Sequence, residues 1–361
     1  MKKFSGRRFF DFLISGILLL SCGDVLTSCS RGAKAESTSF TAMNTYMTVK
    51  SYGKTAKEAA AANALVQQEV ERLEGILSTT IQGSDVYKIN NSDLEEIPVN
   101  AETAYLIRRG TEFFKLTGGA FNPALYPLIR EWGFTTGEYK VPSDERIHEL
   151  LQSTDFSAVV EYPQSGRIET TADRTTISRP AGLQLDFGAI GKGYAGDRAV
   201  EILREAGISS ALLDFGGNIQ VLGSKPDGSA WTVGIKNPWG GDPVVAVKLR
   251  DACMITSGGY ERFFTGDDGK KYIHIFDSAT GYPVENDLES VTIICREGLS
   301  GDALSTSLFA MDLEKSIDFW QTSPRDFDFV IITKKRDLVY TKPLSDSISL
   351  LFDFDSIRVV E

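Results

Sequence analysis

The sequence is poor in the side chains that most often carry metal and redox chemistry. Its 361 residues include two histidines and four cysteines, which argues against a His-rich zinc or iron site. Basic residues are also in deficit, because 38 Lys and Arg face 49 Asp and Glu and give a net charge of −11. That balance argues against general nucleic-acid binding, which needs a basic face. With 42% hydrophobic and 24% charged residues, the composition is that of a globular protein and excludes disorder, collagen or coiled coil as a description of the whole chain.

The N-terminus has the pattern of an export signal. Four basic residues within the first eight are followed by a mostly apolar stretch from Phe9 to Leu20. These twelve residues are too few to span a bilayer as a helix, so the pattern predicts a signal peptide over residues 1–28. Removal of that segment takes away four basic and two acidic side chains, and leaves 34 basic and 47 acidic residues with a net charge of −13.

Two cysteines near the signal peptide resemble the lipidated residue of bacterial lipoproteins. Cys22 follows LLS and Cys29 follows LTS, and the second sequence fits the lipoprotein cleavage box better. We therefore expect lipidation at Cys29, with Cys22 and a plain secretory signal as the alternatives. A lipid anchor would hold the protein on the periplasmic side of the bacterial inner membrane. Residues 29–38 are then expected to form a polar tether, and residues 39–361 a single domain.

The body of the chain predicts an α+β fold with a helical N-terminal part and a sheet-rich C-terminal part. Thr55 and Glu58 form a capping-box pattern before a helix that reaches Ser78, and further helices follow Asn100 and Ser143. Apolar segments bounded by Gly, Pro or Asn predict strands, among them Tyr46–Tyr52, Leu183–Phe187, Ala211–Phe215, Trp231–Lys236, Val244–Leu249, Tyr272–Phe276, Glu289–Cys295, Phe327–Thr333 and Leu350–Phe354. The order is too irregular for a Rossmann series.

The two remaining cysteines lie within such apolar segments. Cys253 is followed by Met-Ile and Cys295 is preceded by Ile-Ile. This placement predicts buried, inert thiols. Spacing alone leaves open whether the two form a disulfide in an exported protein.

Two glycine-rich segments are candidates for ligand binding. The first, TGGAFNP at residues 117–123, has paired glycines that let backbone approach a ligand closely, although spacing alone favours a structural loop at a helix end. The second, LDFGAIGKGY at residues 185–194, runs from a strand through a turn carrying Lys192 into a helix. A helix N-terminus and a lysine suit a phosphate group. The segment is neither a Walker A loop nor a dinucleotide-binding motif, so a tight turn with a solvated lysine is an equal alternative.

Two further segments carry candidate catalytic and metal-binding side chains. TSGGYERFF at residues 256–264 is followed, after a charged hairpin, by HIFD at residues 274–277. His274 is predicted to lie in a strand, where a lone histidine is more often structural than catalytic. In DALSTS at residues 302–307, Asp302 and Thr306 are four apart at a predicted helix start, so their oxygens can share one face and hold Mg²⁺. N-capping by Asp302 is the favoured alternative on that evidence alone.

In this order and spacing the four segments resemble the FAD:protein FMN transferases, the ApbE family. The resemblance extends from MNT at residues 43–45 to the helix after Asp302, and the conjunction of the motifs is far more specific than any one of them. It implies a T-fold-like arrangement of mixed sheet and helices. It also implies an exported enzyme that splits the pyrophosphate of FAD, transfers FMN to a Thr or Ser hydroxyl of a partner protein as a phosphoester, and releases AMP.

The resemblance assigns roles to residues of this sequence. It implies contacts to FAD from Met43, Ala120, Phe121, Asn122, Asp186 and Lys192. It implies a Mg²⁺ site made by Asp302, Thr306 and the backbone carbonyl of Ala189. His274 takes the position of the histidine proposed as base, and an ordinary histidine pKa of about 6.5 would suit that role at neutral pH.

Three positions depart from the family pattern. Asn122 stands where Asp is common, Asn44 replaces a usual Gly, and Thr80 follows Ser-Thr where an aromatic residue is frequent. The last change implies a looser hold on the flavin, and therefore turnover rather than storage of FAD.

We therefore expect Mg²⁺-dependent flavinylation of exported redox proteins that carry the acceptor pattern D-x-x-[ST]-G-A-[ST], with no nucleic-acid partner. Two alternatives remain open from the sequence. One is an FAD pyrophosphatase, in which water replaces the acceptor hydroxyl and FMN and AMP are released. The other is a surface flavin-binding lipoprotein without catalytic activity.

Overall fold

The computed structural model describes residues 33–361 except residues 95, 157–168, 172–173, 179–181 and 325. The predictions for residues 1–28 and for Cys22 and Cys29 lie outside this range. The strands are β1 Lys34–Ala42, β2 Thr45–Gly53, β3 Glu96–Val99, β4 Glu169–Thr171, β5 Arg174–Ser178, β6 Ala211–Phe215, β7 Asn218–Leu222, β8 Trp231–Ile235, β9 Val245–Leu249, β10 Ala252–Gly258, β11 Phe263–Thr265, β12 Lys271–Ile273, β13 Leu288–Cys295, β14 Asp328–Thr333, β15 Asp337–Thr341, β16 Ile348–Leu350 and β17 Ser356–Val360. The helices are α1 Ala56–Leu77, α2 Asp85–Asn91, α3 Ala101–Leu116, α4 Tyr126–Glu131, α5 Asp144–Leu151, α6 Gly191–Glu205, α7 Gly298–Met311 and α8 Leu313–Thr322.

Within the described residues, the largest sheet has nine strands in the order β1-β2-β6-β7-β10-β13-β14-β15-β17. Its neighbouring strands are antiparallel except for the parallel pair β15 and β17. The predicted α+β class is confirmed, and the first two strands of this sheet come from the N-terminal end of the chain. Smaller sheets are formed by β16-β9-β8, by β3-β5-β4 and by the hairpin β11-β12.

Both faces of the large sheet are buried at its centre. In β14, Phe329 and Ile331 face the core that contains α1, α6 and α7, whereas Val330 and Ile332 face the core formed with β8 and β9. This alternation follows from the two-residue repeat of a strand. Because apolar residues are needed on both faces, the strand sequences read as nearly continuous hydrophobic runs. The sheet is therefore a fixed platform for α6 and α7, the helices that carry the candidate site.

The N-terminal hairpin corrects the predicted tether. Strand β1 pairs with β2 along its whole length, from Lys34 opposite Gly53 to Ala42 opposite Thr45. The segment expected to be a tether up to residue 38 is therefore part of the fold from Lys34 onward. Its polar side chains are compatible with an edge strand, because backbone hydrogen bonds rather than side-chain burial hold it in place. The composition that predicted a tether could not reveal that pairing.

The predicted helices of the N-terminal part are confirmed. Thr55 and Glu58 form the capping box of α1, and Ser143 caps α5. Helix α3 begins after Asn100, as predicted, but the Asn100 side chain does not cap it; the Asp85 carboxylate accepts from the backbone N–H of Asn100 at 2.6 Å. No helix among the described residues is both long and apolar enough to span a membrane.

Two predicted strands are wrong. The segment Leu183–Phe187 is extended but lies outside any sheet ladder, because the side-chain amide of Asn90 takes both backbone hydrogen bonds of Leu185, at 2.7 and 2.8 Å. At the C-terminus, β16 ends at Leu350 and the strand that joins the large sheet is β17, Ser356–Val360. Phe352 and Phe354, whose apolar character predicted a strand, pack against the core of β8 and β9 instead.

Candidate active site

The first glycine-rich segment forms a tight turn after α3. Gly118 and Gly119 have φ angles of +60° and +90°, a region that glycine adopts at little cost. The Thr117 hydroxyl donates to the carbonyl of Phe113 at 2.7 Å and accepts from the N–H of Phe121 at 3.0 Å. The Phe121 ring is buried in the core against Phe113. Backbone rather than the Phe121 ring is therefore what this turn can offer to a ligand.

Asn122 fixes the end of this turn through both ends of its amide. Its Oδ1 accepts from the N–H of Ala124 at 2.9 Å, and its Nδ2 donates to the carbonyl of Thr154 at 3.0 Å. The second bond requires a donor, which an ionised aspartate lacks. The departure from the family's common Asp therefore has a structural use in this chain.

The second glycine-rich segment lies directly against the first. The N–H of Asp186 donates to the carbonyl of Pro123 at 2.8 Å, and its side-chain Oδ1 accepts from the N–H of Gly188 at 2.5 Å. The chain then turns through Ala189 and enters α6 at Gly191. The first turn of α6 therefore begins beside Asp186, and the N–H of Gly191 donates back to the Phe187 carbonyl at 2.7 Å.

Gly193 brings α6 into contact with α7. Its N–H donates to Oδ2 of Asp302 at 2.9 Å, and its carbonyl accepts from the Gln220 side chain at 3.1 Å. A Cβ at this position would lie 2.1 Å from the carbonyl oxygen of Gly298, so only glycine allows this approach. Lys192 Nζ lies 3.7 Å from Oδ1 of the same Asp302. The second and fourth motifs thus meet at one carboxylate.

Asp302 lies inside α7 and does not cap it. The helix begins at Gly298, with Glu297 in the N-cap position, so the N-capping alternative for Asp302 is wrong. The N–H groups of Gly298 and Leu299 at the helix start are instead bound by the Asp197 carboxylate of α6, at 2.6 and 2.8 Å. Burial raises the pKa of Asp197 to about 7, even though these two N–H groups favour its charged form.

Strand β10 brings Ser257 of the third motif into contact with α7. Ser257 Oγ lies 3.3 Å from Thr306 Oγ1 and 2.9 Å from Ser305 Oγ. One turn of α7 therefore presents the Thr306 hydroxyl near the buried Asp302, which is 3% exposed. The described residues contain no group of three or more His, Cys, Asp or Glu side chains that could hold a metal. A cation here would depend on one carboxylate and neutral oxygens, a donor set that fits Mg²⁺ with substrate phosphates and water.

His274 lies just beyond the end of β12, in a bend rather than in the predicted strand. Its backbone N–H donates to the carbonyl oxygen of Arg262 at 3.2 Å, and its ring Nδ1 lies 3.1 Å from the same oxygen. A carbonyl only accepts, so Nδ1 carries the proton and Nε2 is left as the basic nitrogen. The tautomer is thereby set by the backbone of the third motif.

Four ionisable side chains of the motifs act on one another electrostatically. Burial, the Arg262 guanidinium and the Lys192 ammonium lower the pKa of His274 to about 4, which replaces the ordinary value expected from the sequence. Burial raises the pKa of Asp186, against the opposing effects of the Gly188 N–H, Arg262 and Lys192. His274 is therefore neutral at physiological pH, and Arg262 and Lys192 act on both His274 and Asp186 as nearby positive charges.

Further hydrogen bonds and aromatic contacts hold the four motifs in place. Arg262 donates to the carbonyl of Phe134 at 2.6 Å, and the Ser278 hydroxyl donates to the carbonyl of Gly119 at 2.6 Å. Trp132 is fully buried and packs against a cluster of aromatic rings, Phe264, Tyr272, Phe276 and Tyr282. Hydrogen bonds therefore join the first motif to the second, the second to the fourth, and the fourth to the third, and Ser278, the residue after HIFD, links the third segment to the first.

Met43 lies in the turn between β1 and β2. Met43 and Asn44 have φ angles of +49° and +58°, the pattern of a type I′ hairpin turn, and the Met43 N–H donates to Glu74 at 2.8 Å. Asparagine tolerates this conformation well, which accounts for Asn44 in place of the family's usual glycine.

Four residues next to the site were not singled out from the sequence: Asp197, Gln220, Ser257 and Arg262. Arg262 and Ser257 belong to the segment TSGGYERFF, so their place in that segment was the available signal. Asp197 and Gln220 act across long sequence separations, and no local pattern marks them.

The fold and the linked segments define an ApbE-type protein. The sequence profile described as the ApbE family matches residues 43–331, and the chain belongs to this family. The FAD:protein FMN transferase of Treponema pallidum is 33% identical over 337 residues, which cover 90% of this chain and 91% of that protein. The FAD:protein FMN transferase of Klebsiella pneumoniae is 32% identical over 281 residues, covering 77% and 84%.

Solved structures agree with this assignment. The ApbE protein of Thermotoga maritima is 30% identical and superposes with a TM-score of 0.73 over 83% of this chain and 95% of that chain. The flavinyl transferase ApbE of Pseudomonas stutzeri is 28% identical, with a TM-score of 0.71 over 86% and 93%.

Proposed function

We propose that this protein is an FAD:protein FMN transferase, which moves FMN from FAD to a Thr or Ser hydroxyl of exported redox proteins and releases AMP. The observation that carries the proposal is the meeting of the motifs at Asp302, whose carboxylate is bound by the Gly193 N–H and approached by Lys192. Membership of the ApbE family and the names of its relatives support the same activity.

In this proposal Mg²⁺ is held by Asp302, the Thr306 hydroxyl and the carbonyl of Ala189. A bound Mg²⁺ would neutralise the pyrophosphate and the phosphate of the departing AMP. The fit rests on the hard oxygens that α7 and the turn before α6 provide. Such a cation would also reconcile the strongly acidic chain with an anionic substrate.

The pyrophosphate of FAD would be oriented by the start of α6 and by Lys192, with Asp186 and the turn at residues 120–122 on its flank. Phosphate binding at a helix N-terminus uses N–H groups that have no partner within the helix. Met43 would contact FAD from the β1–β2 turn. Positioning and charge stabilisation supply most of the rate in phosphoryl transfer, so the rigidity of these linked turns is the main contribution of the protein.

His274 would accept the proton of the attacking hydroxyl at Nε2. Its Nδ1 is held by the Arg262 carbonyl, which orients the ring and leaves Nε2 unprotonated. General-base assistance of this kind is worth roughly 10²–10⁴-fold. Burial is the main cause of the low pKa of His274, and Arg262 and Lys192 lower that pKa further, so an anionic pyrophosphate beside the two cations would raise it.

The acceptors would be exported proteins with the pattern D-x-x-[ST]-G-A-[ST], and the enzyme itself would be anchored through Cys29 on the periplasmic side of the inner membrane. The basic and apolar N-terminal segment and the cleavage-box sequence before Cys29 support export and lipidation. Mass spectrometry of membrane-extracted protein tests the anchor: a lipidated Cys29 at the N-terminus is expected. A Cys29→Ala variant that still carries the lipid, on Cys22, would assign the anchor to Cys22.

A competing outcome is hydrolysis of FAD. Thr80 is exposed at the end of α1, where an aromatic side chain would cover a flavin more fully. AMP release should be measured with FAD and Mg²⁺, once with an acceptor protein and once with the same acceptor carrying Ala in place of its Thr or Ser. We expect fast AMP release only with the intact acceptor. Equal rates would establish a pyrophosphatase, and no AMP in either reaction would indicate a flavin-binding protein without this chemistry.

A further inference from the structure

The central strands β10 and β13 place the two body cysteines directly opposite each other. Cys253 pairs with Cys295 in the antiparallel register, and their sulfur atoms are 3.1 Å apart. Both side chains are buried on the sheet face that packs against α7. Neither residue belongs to the proposed active site.

Their positions meet the geometric needs of a disulfide. Antiparallel partners have Cα atoms about 4.5–5.5 Å apart, within the range of about 4.4–6.8 Å that disulfides span. A disulfide bond is about 2.05 Å long, so the two sulfur atoms, which are 3.1 Å apart, must approach each other by about 1 Å. Rotation of the two side chains supplies this approach without movement of the strands.

The surroundings leave room for both sulfur atoms under the first turn of α7. Both thiols lie near the carbonyl oxygen of Glu297, the residue in the N-cap position, at 3.5 Å for Cys253 and 3.2 Å for Cys295. A Cβ on Gly301 would be 3.2 and 3.1 Å from the two sulfur atoms. The helix therefore approaches the pair closely at a residue that has no side chain.

We propose that Cys253 and Cys295 are a redox modification site that closes into an intramolecular disulfide. The oxidant is another disulfide, either of a small thiol or of a protein. One cysteine attacks it as thiolate to form a mixed disulfide, and the second cysteine displaces the oxidant's remaining thiol. One S–S bond is formed and one is broken, and the oxidant leaves as two thiols that carry the two protons and two electrons.

The rate of this exchange depends on access. Cys295 is 9% exposed and Cys253 is fully buried, so Cys295 is the cysteine that attacks the oxidant. The neighbouring Cys253 and burial raise the pKa of the Cys295 thiol, which makes its thiolate scarce in the folded protein. Oxidation is therefore slow once the sheet has closed and fast while the chain folds in the presence of a disulfide oxidant.

The test uses the full chain with Cys22→Ser and Cys29→Ser, so that only the two body thiols remain. The protein is denatured, refolded in a mixture of reduced and oxidised glutathione, then denatured again in an alkylating agent. We expect a mass lower by two hydrogens, no alkylated cysteine, and one cross-linked peptide pair joining Cys253 to Cys295. Two alkylated thiols, or glutathione attached to either cysteine, would overturn the proposal.

Thermal unfolding gives a second readout. Closing the loop between residues 253 and 295 restricts the unfolded chain, so the oxidised protein should melt roughly 5–10 °C higher than the reduced one. The matched control, Cys253→Ala with Cys295→Ala in the same background, should show no response to reductant. An equal response in the control would place the effect elsewhere. If the control does not fold, the alkylation result on the parent protein decides alone.

Discussion

The carboxylate of Asp302 accepts a hydrogen bond from the backbone N–H of Gly193 at 2.9 Å. The two residues are separated by more than a hundred positions, yet this bond joins the turn that carries Lys192 to the helix that carries Thr306. It requires α6 and α7 to approach so closely that no side chain fits at Gly193.

The first prediction concerns that close approach. Gly193→Ala should reduce the free energy of unfolding by roughly 2–4 kcal/mol, because its Cβ would overlap the Gly298 carbonyl and the Asp302 side chain. The matched control is Gly191→Ala, where the added Cβ meets no atom within 4 Å and should change stability by less than about 1 kcal/mol. Urea unfolding of both variants measures the difference. Equal effects would contradict the packing described for α6 and α7.

The second prediction separates the charge of Asp302 from its hydrogen bond. In Asp302→Asn the amide oxygen can still accept from Gly193, so thermal stability should stay close to that of the parent. FMN transfer should fall at least ~10²-fold, and its dependence on Mg²⁺ concentration should shift to higher values. An Asn variant with full activity at low Mg²⁺ would remove Asp302 from the proposed metal site.

The third prediction uses the scarcity of histidine. NMR titration of the imidazole signals should find His274 with a pKa of about 4, and the His148→Gln variant assigns the signal. FAD added without Mg²⁺ should raise this pKa, since the pyrophosphate anion offsets the charges of Arg262 and Lys192. A pKa that stays the same in the complex would argue against pyrophosphate binding beside His274.

His274 also affects stability at acid pH. Its pKa in the folded protein lies below the unfolded value of about 6.5, so the unfolded chain binds more protons between the two values. Its contribution to stability is complete above about pH 6.5 and is lost as the pH falls toward 4. His274→Gln should therefore flatten the stability profile between pH 6.5 and 4, whereas His148→Gln serves as the surface control.

The fourth prediction concerns Asn122. Asn122→Asp restores the residue common in the family. It also sets a carboxylate against the carbonyl of Thr154, which in the unsubstituted protein accepts a hydrogen bond from the Asn122 amide. We expect a loss of about 1–3 kcal/mol in the free energy of unfolding at neutral pH. Asn122→Asp should recover part of this loss as the carboxyl is protonated in acid. Unchanged stability at both pH values would show that the bond to Thr154 contributes little.

Local patterns in the sequence predicted the parts of the fold that depend on neighbouring residues. The capping box at Thr55 and Glu58 is an example, because its atoms come from one helical turn. The segment at residues 183–187 has the apolar content of a strand, yet the amide of Asn90, almost a hundred residues earlier, takes its hydrogen bonds. No local pattern carries that information.

The same distinction holds at the site. The glycine-rich turns and the Asp302–Thr306 spacing could be recognised along the chain, and their conjunction indicated the family. Two other features exist only after the sheet brings distant segments together. One is the effect of Arg262 on the pKa values of both Asp186 and His274, and the other is the binding of the α7 N-terminus by Asp197. The lowered pKa of His274 follows from that assembly and therefore could not be expected from an isolated histidine.

FMN transfer is measured directly by the intact mass of an acceptor protein after incubation with this enzyme, FAD and Mg²⁺. We expect a mass gain equal to one FMN phosphoester, located on the Thr or Ser of the D-x-x-[ST]-G-A-[ST] pattern, with one AMP released per modified acceptor. The gain should be absent when that Thr or Ser is Ala, and strongly reduced with Asp302→Asn. An unmodified acceptor under conditions in which the enzyme binds FAD and Mg²⁺ would show that the protein does not transfer FMN to this pattern.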